Sequence, residues 1–128
     1  MLQVLVIEDT PLNMELVVTI LKQAGHVPLQ AETAARGLAL ARSAQPDVIL
    51  MDVQLPDMDG LSATRMLKAD PLTGDIPVIA LTAFAMKGDE EKSIAAGCDG
   101  YVTKPVRYKD LLAMLNTVLA RNELRRDE

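Results

Sequence analysis

The sequence predicts a doubly wound α/β domain, a five-stranded parallel sheet with helices on both faces. Short aliphatic or β-branched runs alternate with longer stretches of helical period through five rounds, the pattern of βαβ units. Three of the runs, Val4 to Ile7, Val48 to Met51 and Val78 to Leu81, are continuously apolar, as strands covered on both faces must be. A length of 128 residues with 49% hydrophobic content suits one domain with a compact core.

The first strand is read from Gln3 to Ile7. Thr10 is placed to cap the helix that follows, with Pro11 at its first position. Met14, Val17, Val18 and Leu21 recur at i, i+3, i+4 and i+7, and Gly25 sits where that helix stops. The second round is a strand from His26 to Ala31 and a helix opening near Thr33, whose small face is Ala34, Gly37, Leu38 and Ala41. The third strand runs from Asp47 to Met51 and ends in Asp52. After the loop from Val53 to Gly60, a helix carries Ala63, Met66 and Leu67 until Pro71 and Gly74 break it. Strand four runs from Pro77 to Leu81, helix four from Met86 to Ala96 with a polar opening, and strand five from Gly100 to Thr103. Helix five shows Leu111, Met114, Leu115 and Val118. A single unit over residues 1–121 is expected, with a polar, fraying tail over 122–128.

Composition within the strands also orders them. Pro28 cannot donate to a ladder and strand five is short with Gly100 at its start, so strands two and five belong at the edges. With right-handed crossovers this gives the flavodoxin-like order 2-1-3-4-5.

Charge and composition narrow the function. Thirteen basic against eighteen acidic residues leave a net charge of −5 with no basic block, which disfavours direct nucleic-acid binding. With no Trp, one Phe and two Tyr, no extensive stacking platform is available. The chain opens on a strand-like run and not on a charged and then long apolar leader, and Cys98 has no second cysteine to pair with. No apolar run approaches the roughly 20 residues of a membrane-spanning helix. A cytoplasmic protein without membrane contact of its own is expected.

In an open parallel sheet, ligands bind beyond the carboxyl ends of the strands. Strand one ends in Glu8 and Asp9, strand three in Asp52, strand four in Thr82, and strand five in Lys104 followed by Pro105. Strand two offers only Glu32, as an edge strand away from the site would. Three carboxylates in one crevice repel each other, and a divalent cation is the economical remedy; oxygen ligands suit magnesium. Asp52 is the best-placed nucleophile, since a carboxylate can attack phosphorus and form an acyl phosphate. Asp9 would ligate the metal, with Glu8 acting directly or through water. Thr82 would bond a phosphoryl oxygen, Lys104 would neutralise charge on the transferred group, and Ala83 leaves access to it. Taken singly, each has an ordinary alternative: a strand-end Asp is usually a turn residue, Thr82 a helix cap, Lys104 a solvated charge. Five suitable groups at four strand ends on one edge outweigh those alternatives.

Glu8-Asp9, Asp52, Thr82-Ala83 and Lys104-Pro105 together resemble the CheY-like receiver domain of two-component response regulators, over essentially the whole chain. The separations of 43 residues from Asp9 to Asp52, 30 to Thr82 and 22 to Lys104 fit that family jointly. The segments from Val6 to Asn13 and from Thr82 to Glu90 are most similar to single-domain regulators of cell division and polarity, the DivK type, and receivers of hybrid kinases carry similar segments.

The resemblance implies a phosphoryl switch. A histidine kinase or histidine phosphotransfer protein donates to Asp52, with magnesium held by Asp9, Asp52 and the backbone carbonyl of Gln54. Glu8 stands where the family more often has Asp, which keeps the charge. The resemblance also implies a cis Lys104–Pro105 bond. Phosphorylation would draw the Thr82 hydroxyl inward and turn Tyr101 from an exposed to a buried rotamer, so that helix four and strand five present a different face to a downstream protein. Met86, Lys87, Glu90, Tyr101, Arg107 and Tyr108 are expected to form that face, in a monomer or a weak phosphorylation-dependent dimer. Phe84 is expected to hinder in-line water and slow loss of the phosphate, with Gln54 at the corresponding place after Asp52. No catalysis beyond the chain's own phosphorylation and dephosphorylation is implied.

Two other readings stay open. A magnesium-dependent phosphohydrolase of the haloacid-dehalogenase kind also uses a strand-end Asp, although Asp52 is followed by Val53 and Gln54 and no general acid stands two residues on. A receiver cut from a larger hybrid kinase or regulator fits the same residues. Asp57-Met58-Asp59-Gly60 faintly resembles a calcium loop, but its other ligand positions are absent and a turn is the better reading. Cys98 and His26, each alone, make no transition-metal site.

Overall fold

The computed structural model describes residues 1–83 and 87–126, with positions 87, 89, 90 and 124–126 described by backbone alone. Its elements are β1 (Gln3–Ile7), α1 (Pro11–Gln23), β2 (Val27–Ala31), α2 (Ala34–Ala44), β3 (Val48–Asp52), α3 (Gly60–Ala69), β4 (Val78–Thr82), α4 (Lys87–Ala96), β5 (Gly100–Thr103) and α5 (Tyr108–Arg126). The five strands form one parallel sheet in the order β2-β1-β3-β4-β5. The Pro-bearing and Gly-started strands are the two edges.

Alternation along the strands sorts the core into two layers. Val4, Val6, Val48, Leu50, Ile79 and Leu81 pack with α1 and α5, through Val17, Leu21, Leu111 and Leu115. Their neighbours Leu5, Ile7, Ile49, Met51 and Val78 pack on the other face with Ala34, Ala41, Ala63 and Leu67 of α2 and α3. Each fully buried aliphatic side chain contributes about 1.5–3 kcal/mol. The sheet is thereby held rigid up to its carboxyl edge, where the polar residues begin.

Several boundaries differ from the sequence reading. β3 and β4 each continue one residue further, taking in Asp52 and Thr82, because the ladder carries on through the pairs Asp52 with Leu81 and Thr82 with Thr103. Thr10 occupies the cap position of α1, yet its side chain makes no cap bond; Pro11 has already removed one of the amides that would need a partner. Met66 is 50% exposed, and Leu61, Ala63, Thr64 and Leu67 face inward instead. The rotation of α3 is fixed at its first residue, where the Gly60 amide donates to the Val53 carbonyl at 2.8 Å. The tail expected to fray from Asn122 is helical as far as Arg126; Glu, Leu and Arg are good helix formers, and basic residues suit a helix C-terminus.

Candidate functional site

The register between β1 and β3 pairs Ile7 with Met51, which carries Glu8 alongside Asp52 at the carboxyl edge. Glu8 is fully buried, Asp52 is 2% exposed, and Asp9 faces solvent. One carboxylate oxygen from each of the three lies within 4.8 Å of the others. Beyond β5, the Lys104 amide donates to the Thr82 carbonyl at 2.7 Å, and the Lys104–Pro105 bond is cis. The Lys104 ammonium lies 2.9 Å from Glu8 Oε1 and 3.0 Å from Asp52 Oδ1. Thr82 ends β4 at 5% exposure, with Ala83 beside it open to solvent. Glu8, Asp9, Asp52 and Lys104 thus meet in one place, and Thr82 borders it through the Lys104 backbone.

The electrostatics are those of a site short of positive charge. Burial, reinforced by the neighbouring Glu8 carboxylate, pushes Asp52 up to about 6, against the opposing effects of the Gln54 amide and Lys104. Burial alone would lower Lys104, but its two carboxylate partners more than offset this and hold it above its ordinary value. Apart from the Lys104 ammonium on Oε1, no partner for either oxygen of Glu8 is found among the described residues, and that ion pair is its counter-charge there. A buried carboxylate with unfilled acceptor capacity, beside two more carboxylates, is a donor set that fits a hard divalent cation.

The segment after Asp52 is built around that carboxylate. The Gln54 amide donates to Asp52 Oδ1 at 3.0 Å, and Gln54 bridges to Asp59 across the loop. Gly60 is required here: a Cβ on it would overlap the Asp52 carbonyl oxygen. Asp57 and Asp59 are both helix caps. Asp57 accepts from the Ala34 and Ala35 amides of α2, and Asp59 accepts from the Leu61 amide of α3. A calcium-loop reading has no place for them, and the turn reading holds. Asp57 and Gly60 were legible in sequence only as turn residues, because the partners that give them a role are far along the chain or are backbone atoms.

Residues 4–116 match the profile of the response regulator receiver domain. The chain belongs to the response regulator receiver family. This receiver is 41% identical to the polar-differentiation response regulator DivK of Brucella ovis over 116 residues, 91% of this chain and 94% of that protein. It superimposes on the receiver domain of a sensor histidine kinase from Pseudomonas aeruginosa with a TM-score of 0.86 at 33% identity, covering 93% and 98% of the two chains. For a chemotaxis CheY protein of Vibrio cholerae the TM-score is 0.87 at 28% identity, with 92% and 98% covered.

The expected partner face of this receiver is divided by the structure. Half-buried Tyr101 lines a cavity of about 480 Å³ between α4, β5 and α5, with Ile94, Cys98 and Met114. Arg107 and Tyr108 line a different, largely apolar groove of about 580 Å³ with Leu16 and Ile20 of α1. The reason is local: Val106 packs into the core beside α1, which turns the two residues after it toward that helix. Met86 and Phe84 lie outside the described residues, as do the side chains of Lys87 and Glu90. Glu32 is also relocated. It shares a groove of about 350 Å³ with Glu8 and Asp9, because pairing of Ile7 with Ala31 brings the ends of β1 and β2 together. Cys98 takes no part in the site, and burial pushes its thiol up to about 11. His26 lies at the opposite end of the sheet, accepting from the Leu2 amide through Nδ1. No helix among the described residues is long and apolar enough to cross a membrane.

Proposed function

We propose that this receiver accepts a phosphoryl group on Asp52 from a histidine kinase or histidine phosphotransfer protein and signals by altered protein binding. The observation that carries this reading is the convergence of Glu8, Asp9 and Asp52 within 4.8 Å, with one ammonium, Lys104, against two of them. Glu8, Asp9, Asp52 and the Gln54 carbonyl would hold magnesium, as a magnesium ion is coordinated in the active site cleft of the Pseudomonas aeruginosa receiver. Bound there, the cation supplies the positive charge that lets an anionic nucleophile and an anionic phosphoryl group approach.

The chain's own residues do the rest. An Asp52 oxygen forms the new bond to phosphorus as the bond from phosphorus to the donor's imidazole nitrogen breaks, and that nitrogen keeps the electron pair. The Lys104 ammonium turns from the carboxylates to the transferred oxygens. Thr82 offers its hydroxyl to one of them, and Ala83 leaves the approach open. Withdrawal of Thr82 toward the phosphoryl group gives Tyr101, opposite Ala80 on β4, room to turn inward, which remodels the cavity it shares with α4 and α5.

Arg107 and Tyr108, expected at the partner face, line a groove of their own, where we place contact with the donor. Their groove with Leu16 lies between α1 and the start of α5, and Val106 in its lining follows the Lys104–Pro105 pair. Residues 1–121 serve as one receiver unit, working as a monomer or as a weak dimer once phosphorylated.

Intact mass after incubation with acetyl phosphate and magnesium tests the reading. A single phosphoryl adduct is expected, absent in Asp52→Ala and after chelation. Release of phosphate from small esters without an adduct would overturn it in favour of a phosphohydrolase.

A further inference from the structure

The helix α2 is capped largely from outside itself. Its own cap residue, Thr33, accepts only from the Arg36 amide, at 3.2 Å. The amides of Ala34 and Ala35 donate instead to the two carboxylate oxygens of Asp57, at 2.8 and 3.0 Å, across separations of 23 and 22 residues. Those two amides, Ala35 foremost, hold the Asp57 carboxyl below its ordinary range. A carboxylate on two amides at a helix N-terminus is a charge-assisted contact with both oxygens engaged, favoured by the helix dipole.

Asp57 sits in the middle of the connection from β3 to α3. One end of that connection is fixed by the Gln54 amide on Asp52 Oδ1, the other by the Gly60 amide on the Val53 carbonyl and the Asp59 cap. At its very start the Val53 amide donates to the Leu81 carbonyl of β4 at 3.1 Å, and among the described residues Asp57 is the one polar tie from its middle, residues 54–58, to an element other than β3 and α3. A loop that carries part of a binding site and is held on one side only must be ordered when the ligand arrives, and that cost weakens binding.

We propose that Asp57 is a positioning residue for the site, clamping the 53–59 loop to the N-terminus of α2 so that the Gln54 segment stands ready for the cation. This inference rests on the function proposed above. A plain helix cap would stabilise α2 without touching cation affinity, and the two roles are separable by experiment.

Magnesium chloride alone is titrated calorimetrically into the native chain, Asp57→Ala, Asp57→Asn, Thr33→Ala and Asp9→Asn, and amide exchange is followed in chelator. Asp57→Ala should weaken magnesium binding about tenfold, the low end of what supporting residues cost, and speed exchange at Gln54 and Gly60. Asp57→Asn, with one oxygen left to accept, should fall between; it decides the matter should Asp57→Ala not fold. Thr33→Ala should lower the melting temperature with magnesium affinity unchanged. Native magnesium affinity in both Asp57 variants overturns the inference and leaves the site reading intact. A native chain that binds magnesium no better than Asp9→Asn overturns both.

Discussion

Lys104 Nζ lies 3.0 Å from Asp52 Oδ1, and the same ammonium is 2.9 Å from Glu8 Oε1. One cation thus serves two buried carboxylates at the ends of β1 and β3, so a change at either one alters the counter-charge of the other.

Removing that ammonium should expose the arrangement. Lys104→Met leaves Glu8 buried without a counter-charge, so in chelator at neutral pH the chain should lose about 2–4 kcal/mol, somewhat moderated by proton uptake on a carboxyl group. Magnesium should restore part of it. Urea denaturation with and without magnesium measures both, and an unchanged midpoint in chelator would show that the pair contributes nothing.

The Asp52 carboxylate should make stability depend on pH. Its folded-state value, about 6, lies above the ordinary 3.8, so the folded chain keeps this proton longer than the unfolded chain as pH rises. Its contribution is therefore greatest below about pH 4 and is lost as pH climbs past about 6. Asp52→Asn removes the ionisation, and without metal it should be more stable than the native chain at pH 7.5, by at most about 3 kcal/mol. The difference should shrink toward pH 4, and magnesium should narrow it by favouring the ionised native chain. A difference in melting temperature that stays constant across this range would refute the argument.

Gly60→Ala places a methyl group into the Asp52 carbonyl. The backbone on either side of Asp52 must shift, at about 1–3 kcal/mol for overpacking of this kind. Acetyl phosphate labelling should slow at least several-fold even at temperatures where the variant is fully folded by circular dichroism. Labelling at the native rate would mean that the loop can move away at no chemical consequence.

These residues differ in how readily the sequence disclosed them. The strand order was legible because continuous apolar runs, Pro28 and Gly100 each report a position in the sheet by local chemistry. Glu8, Asp9, Asp52, Thr82 and Lys104 were legible because topology alone sends every strand end to one edge. Asp57 was not, since its partners are backbone amides 22 and 23 residues away that carry no sequence signature. Met66 misled for a related reason: helical period is a pattern relative to an origin, and the origin of α3 is set by the Gly60 contact with Val53. Glu32 was misplaced because an edge strand beside β1 is still adjacent to the site when the site begins at the end of β1. Arg107 and Tyr108 line a different groove from Tyr101, because Val106, just before them, packs into the core beside α1.

That division of faces gives a test in which the chemistry of acceptance and the docking of a donor come apart. Leu16 is 40% and Tyr108 58% exposed, and both line the apolar groove between α1 and the start of α5, outside the charged cluster. Leu16→Glu or Tyr108→Ala should leave labelling by acetyl phosphate within about twofold of native, because a small donor needs no docking surface. Transfer from a phosphorylated histidine phosphotransfer protein should fall about tenfold or more, as the loss of an interface anchor of 1.4 kcal/mol or above requires. Equal losses with both donors would assign the two residues to the fold of the site. Native rates with both would remove the groove from the donor's path and leave it for another partner.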